Sequence, residues 1–228
     1  MRKNSLVLKE ALDTPYILND LFINDKNDYK SVTKLINSKK IQYIVTIARG
    51  TSDCAALFSS YLFGKYCKLP TFSLPPSLIT IEKSKFDFSH ALVLVISQSG
   101  MGKDLIECEK QVRNMGAKTI ILCNNQNSPM LKNSSFFLDI YAGQEKSIAA
   151  TKSFIMTITI IIKLIFCSIN QKNINDEILK LSEFLIKVKI NQWSQNKINK
   201  KVNHGYIISR GVGLALANEI SLKFKELC

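Results

Sequence analysis

Little in this sequence is arranged to hold a metal, cross a membrane or read a nucleic acid. Its six cysteines (Cys54, Cys67, Cys108, Cys123, Cys167, Cys228) show no CxxC pair and no metal-ligand spacing, and most lie inside apolar runs. That pattern argues against a disulfide framework or a zinc site, and reads as reduced, buried thiols in a cytoplasmic protein. Long hydrophobic runs are also missing. The longest, Phe154 to Phe166, contains Lys163 and is too short to span a bilayer, so it reads as a buried helix. The basic start Met1-Arg2-Lys3-Asn4 leads into Glu10 and Asp13, so no signal-peptide core follows it. Acidic residues are the minority charge, 18 against 31 Lys and Arg, which leaves a formal net charge of +13. The lysines are dispersed among Asn and Ile, with no Arg–aromatic interleaving and no zinc-finger or RNP-like motif. The excess therefore points to an anionic small substrate; neither a nucleic acid nor a membrane is expected as a partner. No cofactor is expected.

What is present is a globular composition, 46% hydrophobic over 228 residues, enough for one large or two small domains. The organising stretch is Leu92-Val93-Leu94-Val95-Ile96-Ser97-Gln98-Ser99-Gly100. An unbroken apolar run reads as a strand buried on both faces of a parallel sheet. It passes through two hydroxyls, an amide and a glycine into a helical segment beginning near Asp104. Such a corner leaves the first helical N–H groups facing outward with the helix dipole behind them, which makes an anion site. A Ser-rich cap on an ordinary crossover helix explains the same residues equally well.

A second corner of the same kind follows the strand Ile41 to Ile47, where Ala48-Arg49-Gly50-Thr51-Ser52-Asp53 leads into a helix from Cys54 to Tyr66. Capping alone would account for Thr51 and Ser52, but two such corners at the carboxyl ends of parallel strands can face one ligand. Further strands are expected at Thr71–Leu74, Lys118–Cys123 and Phe136–Ile140. The alternation of strands with helices predicts a doubly wound α/β layer. Ahead of it, helices are expected from Leu6 to about Phe22, broken at Thr14-Pro15, and from Tyr29 to Ser38. A third polar connection, Gly143 to Lys152, feeds the long apolar helix. Lys152 near that helix start opposes the dipole; it either meets a carboxylate or ligand, or is a solvated surface lysine.

Ile174 to Ile190 reads as a linker helix, and the polar, Lys-rich stretch Asn191 to Asn203 as a boundary. Tyr206-Ile207-Ile208-Ser209-Arg210-Gly211-Val212-Gly213 then repeats the pattern of Ile44 to Thr51: a strand, Arg-Gly, a small-residue turn and a helix, here Leu214 to Leu227. The expected organisation is therefore N-terminal helices over 1–40, a first domain over 41–170, a linker helix and loop over 171–203, and the opening strand and helix of a truncated second copy over 204–228. A lone strand and helix cannot bury their own apolar faces, so the last helix is expected to pack on the first domain or on another chain.

Together, Arg49-Gly50-Thr51-Ser52-Asp53, Ser97-Gln98-Ser99-Gly100 and Glu145-Lys146-Ser147-Ile148-Ala149-Ala150-Thr151-Lys152 resemble the sugar isomerase (SIS) domain family. Within it the chain is similar to the isomerase half of glucosamine–fructose-6-phosphate aminotransferases, and closer still to stand-alone SIS-type glucosamine-6-phosphate deaminases. The resemblance implies a three-layer αβα sandwich around a five-stranded parallel sheet of flavodoxin-like winding, two copies per chain, and a homodimer. It implies a phosphorylated amino sugar as substrate, of the glucosamine-6-phosphate or fructose-6-phosphate class. Gly50, Thr51, Ser52, Ser97, Gln98, Ser99 and Gly102 would hold it, with the Ile148-Ala149 backbone as the other wall. Glu226 falls at the position of the base that moves a proton between C1 and C2, with Lys223 and Glu219 on the same helical face. Proton abstraction beside a carbonyl needs a carboxylate, and a neighbouring ammonium can orient it. A surface salt bridge between Lys223 and Glu226 is the plainer reading of that spacing alone.

Three departures stand out. Gly102 replaces a hydroxyl residue of the phosphate corner, and Ala150 replaces another in the third connection. The family's ring-opening histidine and C-terminal lysine would lie past Cys228; His90 and His204 do not take their place. Residue 2 is Arg where a glutaminase nucleophile would be Cys, which favours deaminase chemistry. A phosphosugar-binding or regulatory module without catalysis is the alternative.

Overall fold

The computed structural model describes residues 5–188 and 204–227. Five strands form one parallel sheet: β1 (Tyr43–Ile47), β2 (Thr71–Ser73), β3 (Ala91–Ser97), β4 (Lys118–Cys123) and β5 (Phe136–Asp139). Their order is β2-β1-β3-β4-β5, so the winding reverses between β1 and β3. In register, Val93 of β3 lies beside Val45 on one side and Thr119 on the other. All of β3 is buried. Each large apolar side chain buried there contributes about 1.5–3 kcal/mol, so this run fixes the centre of the sheet.

Alternate residues along each strand close two separate cores. Ile44, Leu92, Leu94, Ile96, Ile120 and Leu122 face α1 (Leu6–Asn24), α2 (Tyr29–Ile36), α3 (Thr51–Leu62), α6 (Lys152–Ser168) and α7 (Ile174–Lys187). Val45, Val93, Val95 and Ile121 face α4 (Pro76–Thr80) and α5 (Lys103–Asn114). The result is the expected three-layer αβα sandwich with a doubly wound, five-stranded parallel sheet. A last helix, α8 (Gly213–Leu227), packs on α3 and buries Ala215, Ala217 and Glu219.

Three local expectations need correction. Helix α1 runs straight through Pro15. The missing N–H removes one helical bond, but Pro15 is buried and its carbonyl accepts from Ser182 Oγ of α7 at 2.7 Å, so packing carries the turn. Helix α3 begins at Thr51, which places Thr51 and Ser52 inside its first turn. The stretch Tyr206–Ser209 forms no strand; Tyr206 and Ile208 are 93% and 88% exposed. A strand needs a neighbour to take its hydrogen bonds, and the described sheet offers these residues none. The polar stretch expected as a boundary, 191–203, lies outside the described residues.

Candidate functional site

The two corners that flank the winding reversal both open at the carboxyl ends of their strands. After β1, Gly50 turns the chain into α3 with φ +57°, a conformation glycine adopts without steric penalty. After β3, Gly100 does the same with φ +64°, and here space as well as angle requires glycine. A Cβ would lie 2.7 Å from Ser128 Cβ, and Ser128 Oγ donates to the Gly100 carbonyl at 2.6 Å. Ser97 Oγ accepts from the Gly100 N–H (3.1 Å) and Ser99 Oγ accepts from the Met101 N–H (3.3 Å). Each hydroxyl thus stiffens the corner as an acceptor and keeps its own hydrogen to donate to a ligand. Ser97 is buried, Gln98 half-buried and Ser99 exposed, a gradient running outward from the sheet. Gly102 precedes α5 and brings no side chain; its carbonyl accepts from the Ile106 N–H at 3.0 Å.

The corners meet. Thr51, Ser52 and Gln98, together with Ala150, Ser153 and Thr157, line one small cavity of about 30 Å³, room for a single water. Arg49 of the first corner reaches Asp104 in the first turn of α5.

Helix α8 closes the site from the side of α3. Lys223 Nζ lies 2.9 Å from Thr51 Oγ1, 3.1 Å from Glu219 Oε1 and 2.8 Å from Glu226 Oε2. Thr51 in turn donates to Glu219 Oε1 at 3.2 Å. One ammonium therefore joins both carboxylates to the threonine of the first corner; the i,i+3 pair between Lys223 and Glu226 is present, and the ammonium also reaches Glu219 and Thr51. Glu219 is 5% exposed and its Oε2 makes no hydrogen bond among the described residues. Glu226 is the more open carboxylate.

In the third connection, Ile148 is 98% exposed while Ala149 is buried, so here the backbone, not the isoleucine side chain, rests on the body of the protein. Glu145 folds back over the start of α6. Its carboxylate accepts from the Thr151 N–H (2.9 Å), the Ser153 N–H (3.2 Å) and the Ser153 hydroxyl. A carboxylate at a helix N-terminus is favourable, and it fills the anion position of α6; α5 and α3 carry the open corners. Lys152 is 6% exposed, which rules out a solvated surface lysine, and it forms no ion pair among the described residues. Asp104, Glu10 and the capping role of Glu145 escape sequence reasoning. For Glu145 and Asp104 the signal is an acid within a few residues of a helix start.

A doubly wound parallel sheet with two hydroxyl-bearing corners at its winding reversal defines an α/β domain that takes ligands at the switch point. Residues 34–166 match the family model described as SIS domain, and the chain belongs to that family. It is 30% identical over 233 residues to glutamine–fructose-6-phosphate aminotransferase (isomerizing) of Methanococcus maripaludis, covering 97% of this chain and 37% of the relative. The chain thus spans little more than a third of that relative's length. Among solved structures, the C-terminal domain of glucosamine-fructose-6-phosphate aminotransferase from Francisella tularensis superposes with a TM-score of 0.75 at 24% identity, covering 99% of this chain and 68% of that one. Glucosamine-6-phosphate deaminase from Thermotoga maritima superposes with a TM-score of 0.79 at 20% identity, covering 96% and 66%. These two likenesses are of fold. No helix among the described residues is long and apolar enough to cross a membrane.

Proposed function

We propose that the chain binds a phosphorylated amino sugar across the two corners, and that α8 supplies proton transfer between C1 and C2 of the opened sugar. The phosphate sits against the Ser97, Gln98 and Ser99 corner and the amides that open α5. Thr51 and Ser52 face the sugar, with Gly50 giving the turn its room, and the Ile148-Ala149 backbone forms the opposite wall. Glu226 acts as base, Lys223 orients it, and Glu219 holds Lys223. The observation that carries this reading is the Lys223 ammonium, shared between the first corner and both carboxylates of α8. We place the opening of a second copy at 204–228 and a homodimer around it on the same family grounds.

Gly102, which leaves the phosphate corner one hydroxyl short, favours a second reading, a binding module without turnover. Titration calorimetry with glucosamine-6-phosphate, repeated on Ser97→Ala and Ser99→Ala, tests the site itself. Each substitution should weaken binding about tenfold, the loss expected for a hydrogen bond to a charged group. Exchange of a C1 proton of fructose-6-phosphate with deuterated solvent then separates the two readings: exchange abolished by Glu226→Gln supports catalysis, and binding without exchange supports the module. Absence of binding to the unaltered chain defeats both.

A further inference from the structure

The connection from β5 to α6 is irregular from Ile140 to Thr151, yet side chains from distant elements hold its backbone at four residues, Ala142, Gly143, Lys146 and Ser147. The Ala142 N–H donates to Asn124 Oδ1 (2.8 Å), and the Gly143 carbonyl accepts from Asn124 Nδ2 (2.6 Å). At its base, Asn27 after α1 exchanges two hydrogen bonds with the Asp139 backbone, at 2.9 and 2.8 Å. Its middle is gripped by a single carboxylate. Glu10 of α1 accepts from the Lys146 N–H at 2.6 Å through Oε1 and from the Ser147 N–H at 3.1 Å through Oε2. Glu10 is 4% exposed, and α1 lies outside the residues 34–166 that match the family model.

Immediately beyond that grip the pattern stops. The amides of Ile148, Ala149 and Ala150 make no hydrogen bond among the described residues, and the next amide held is Thr151, by Glu145. Glu10 and Glu145 therefore fix the two sides of a short run of open amides, and Ala150 in that run lines the cavity shared with Thr51, Ser52 and Gln98. A buried carboxylate making two charge-assisted bonds to backbone is stiff. Fixing the loop before a ligand arrives removes an ordering cost from binding.

We propose that Glu10 is a positioning residue for the phosphosugar site: it preorganises the 146–150 backbone as the wall that receives the sugar, without touching the ligand. This rests on the sugar-phosphate reading above. The phosphate corner lies on other elements, so Glu10 should govern the sugar and not the phosphate.

The test uses the full chain with Glu10→Ala and Glu10→Gln, the latter keeping one acceptor and most of the side-chain volume. Amide hydrogen exchange followed across 142–151 should accelerate about tenfold or more in both variants, with helices α3 and α5 still protected. Affinity for glucosamine-6-phosphate should fall about tenfold, a change of about 1.4 kcal/mol, while affinity for inorganic phosphate stays within about twofold. Unchanged exchange in the loop overturns the proposal, as does faster exchange with undiminished sugar-phosphate affinity, or an equal loss for inorganic phosphate. If the unaltered chain binds inorganic phosphate but not glucosamine-6-phosphate, the sugar reading fails and this positioning role fails with it. If the unaltered chain binds both, the variants alone decide the role of Glu10.

Discussion

Arg49 and Asp104 join the two ligand corners: one guanidinium nitrogen lies 2.6 Å from the carboxylate, spanning from the end of β1 to the first turn of α5. Asp104 Oδ2 makes no aligned hydrogen bond, so this is an ion pair by proximity, and the Arg49 side chain is 60% exposed. Such pairs contribute about 0–1 kcal/mol to folding. Arg49→Ala should accordingly leave the urea midpoint nearly unchanged. Its effect belongs to the site, where a positive charge and the alignment of two corners are lost together. Inorganic phosphate binding, measured by calorimetry, should weaken about two- to fivefold. A large drop in stability with intact phosphate binding would contradict this assignment.

Lys163 behaves differently because it is buried. Its ammonium lies 2.5 Å from Asp25 Oδ2, with both side chains only 6% exposed, and Tyr29 donates to the same oxygen at 2.9 Å. Burial, then the Asp25 charge, drives the Tyr29 hydroxyl far above its ordinary range. Removing one partner of a buried pair strands the other charge, at a cost of about 3–5 kcal/mol. Lys163→Ala should lower stability by about that amount in urea denaturation. The double substitution Lys163→Met with Asp25→Asn should recover much of it, because no charge is left buried. Equal losses in the single and double variants would show that volume, not charge, governs this position.

The central strands β3 and β4 were legible because they are buried on both faces and so read as apolar runs. Lys118–Cys123 is β4 residue for residue, and Leu92 to Ile96 lies within β3. The corners were legible because hydroxyls and glycine cluster where such runs end. What stayed hidden depends on partners far along the chain. Glu10 is a single acid on an amphipathic helix, which reads as solvated, and the amides it holds are more than a hundred residues away. Lys163 interrupts an apolar run without announcing Asp25. Tyr206–Ser209 matches the first strand in local pattern, but strand formation is decided by a neighbouring edge, and local sequence does not encode one.

The thiols provide a pH-dependent test. Cys54 and Cys108 are each pushed from an ordinary value of 9.0 up to about 12, and Cys123 up to about 11. Burial is the main cause in all three; the carboxylate of Glu219 adds to it at Cys54 and that of Asp104 at Cys108. A raised thiol keeps its proton in the folded chain where the unfolded chain has lost it. Unfolding therefore releases protons between about pH 9 and pH 12, and the thiols' contribution to stability, undiminished below pH 9, declines through that window. The same shift makes the folded thiols poor nucleophiles, since the thiolate reacts. At pH 9 about half of an ordinary thiol is ionised, against about one in a thousand for a group at 12. Iodoacetamide labelling at pH 9, resolved by peptide mass, should be at least about a hundredfold slower at Cys54 and Cys108 in the native chain than in urea. Labelling of Cys54 at the unfolded rate would mean that α8 does not cover α3, and the shared ammonium of Lys223 would lose its structural basis.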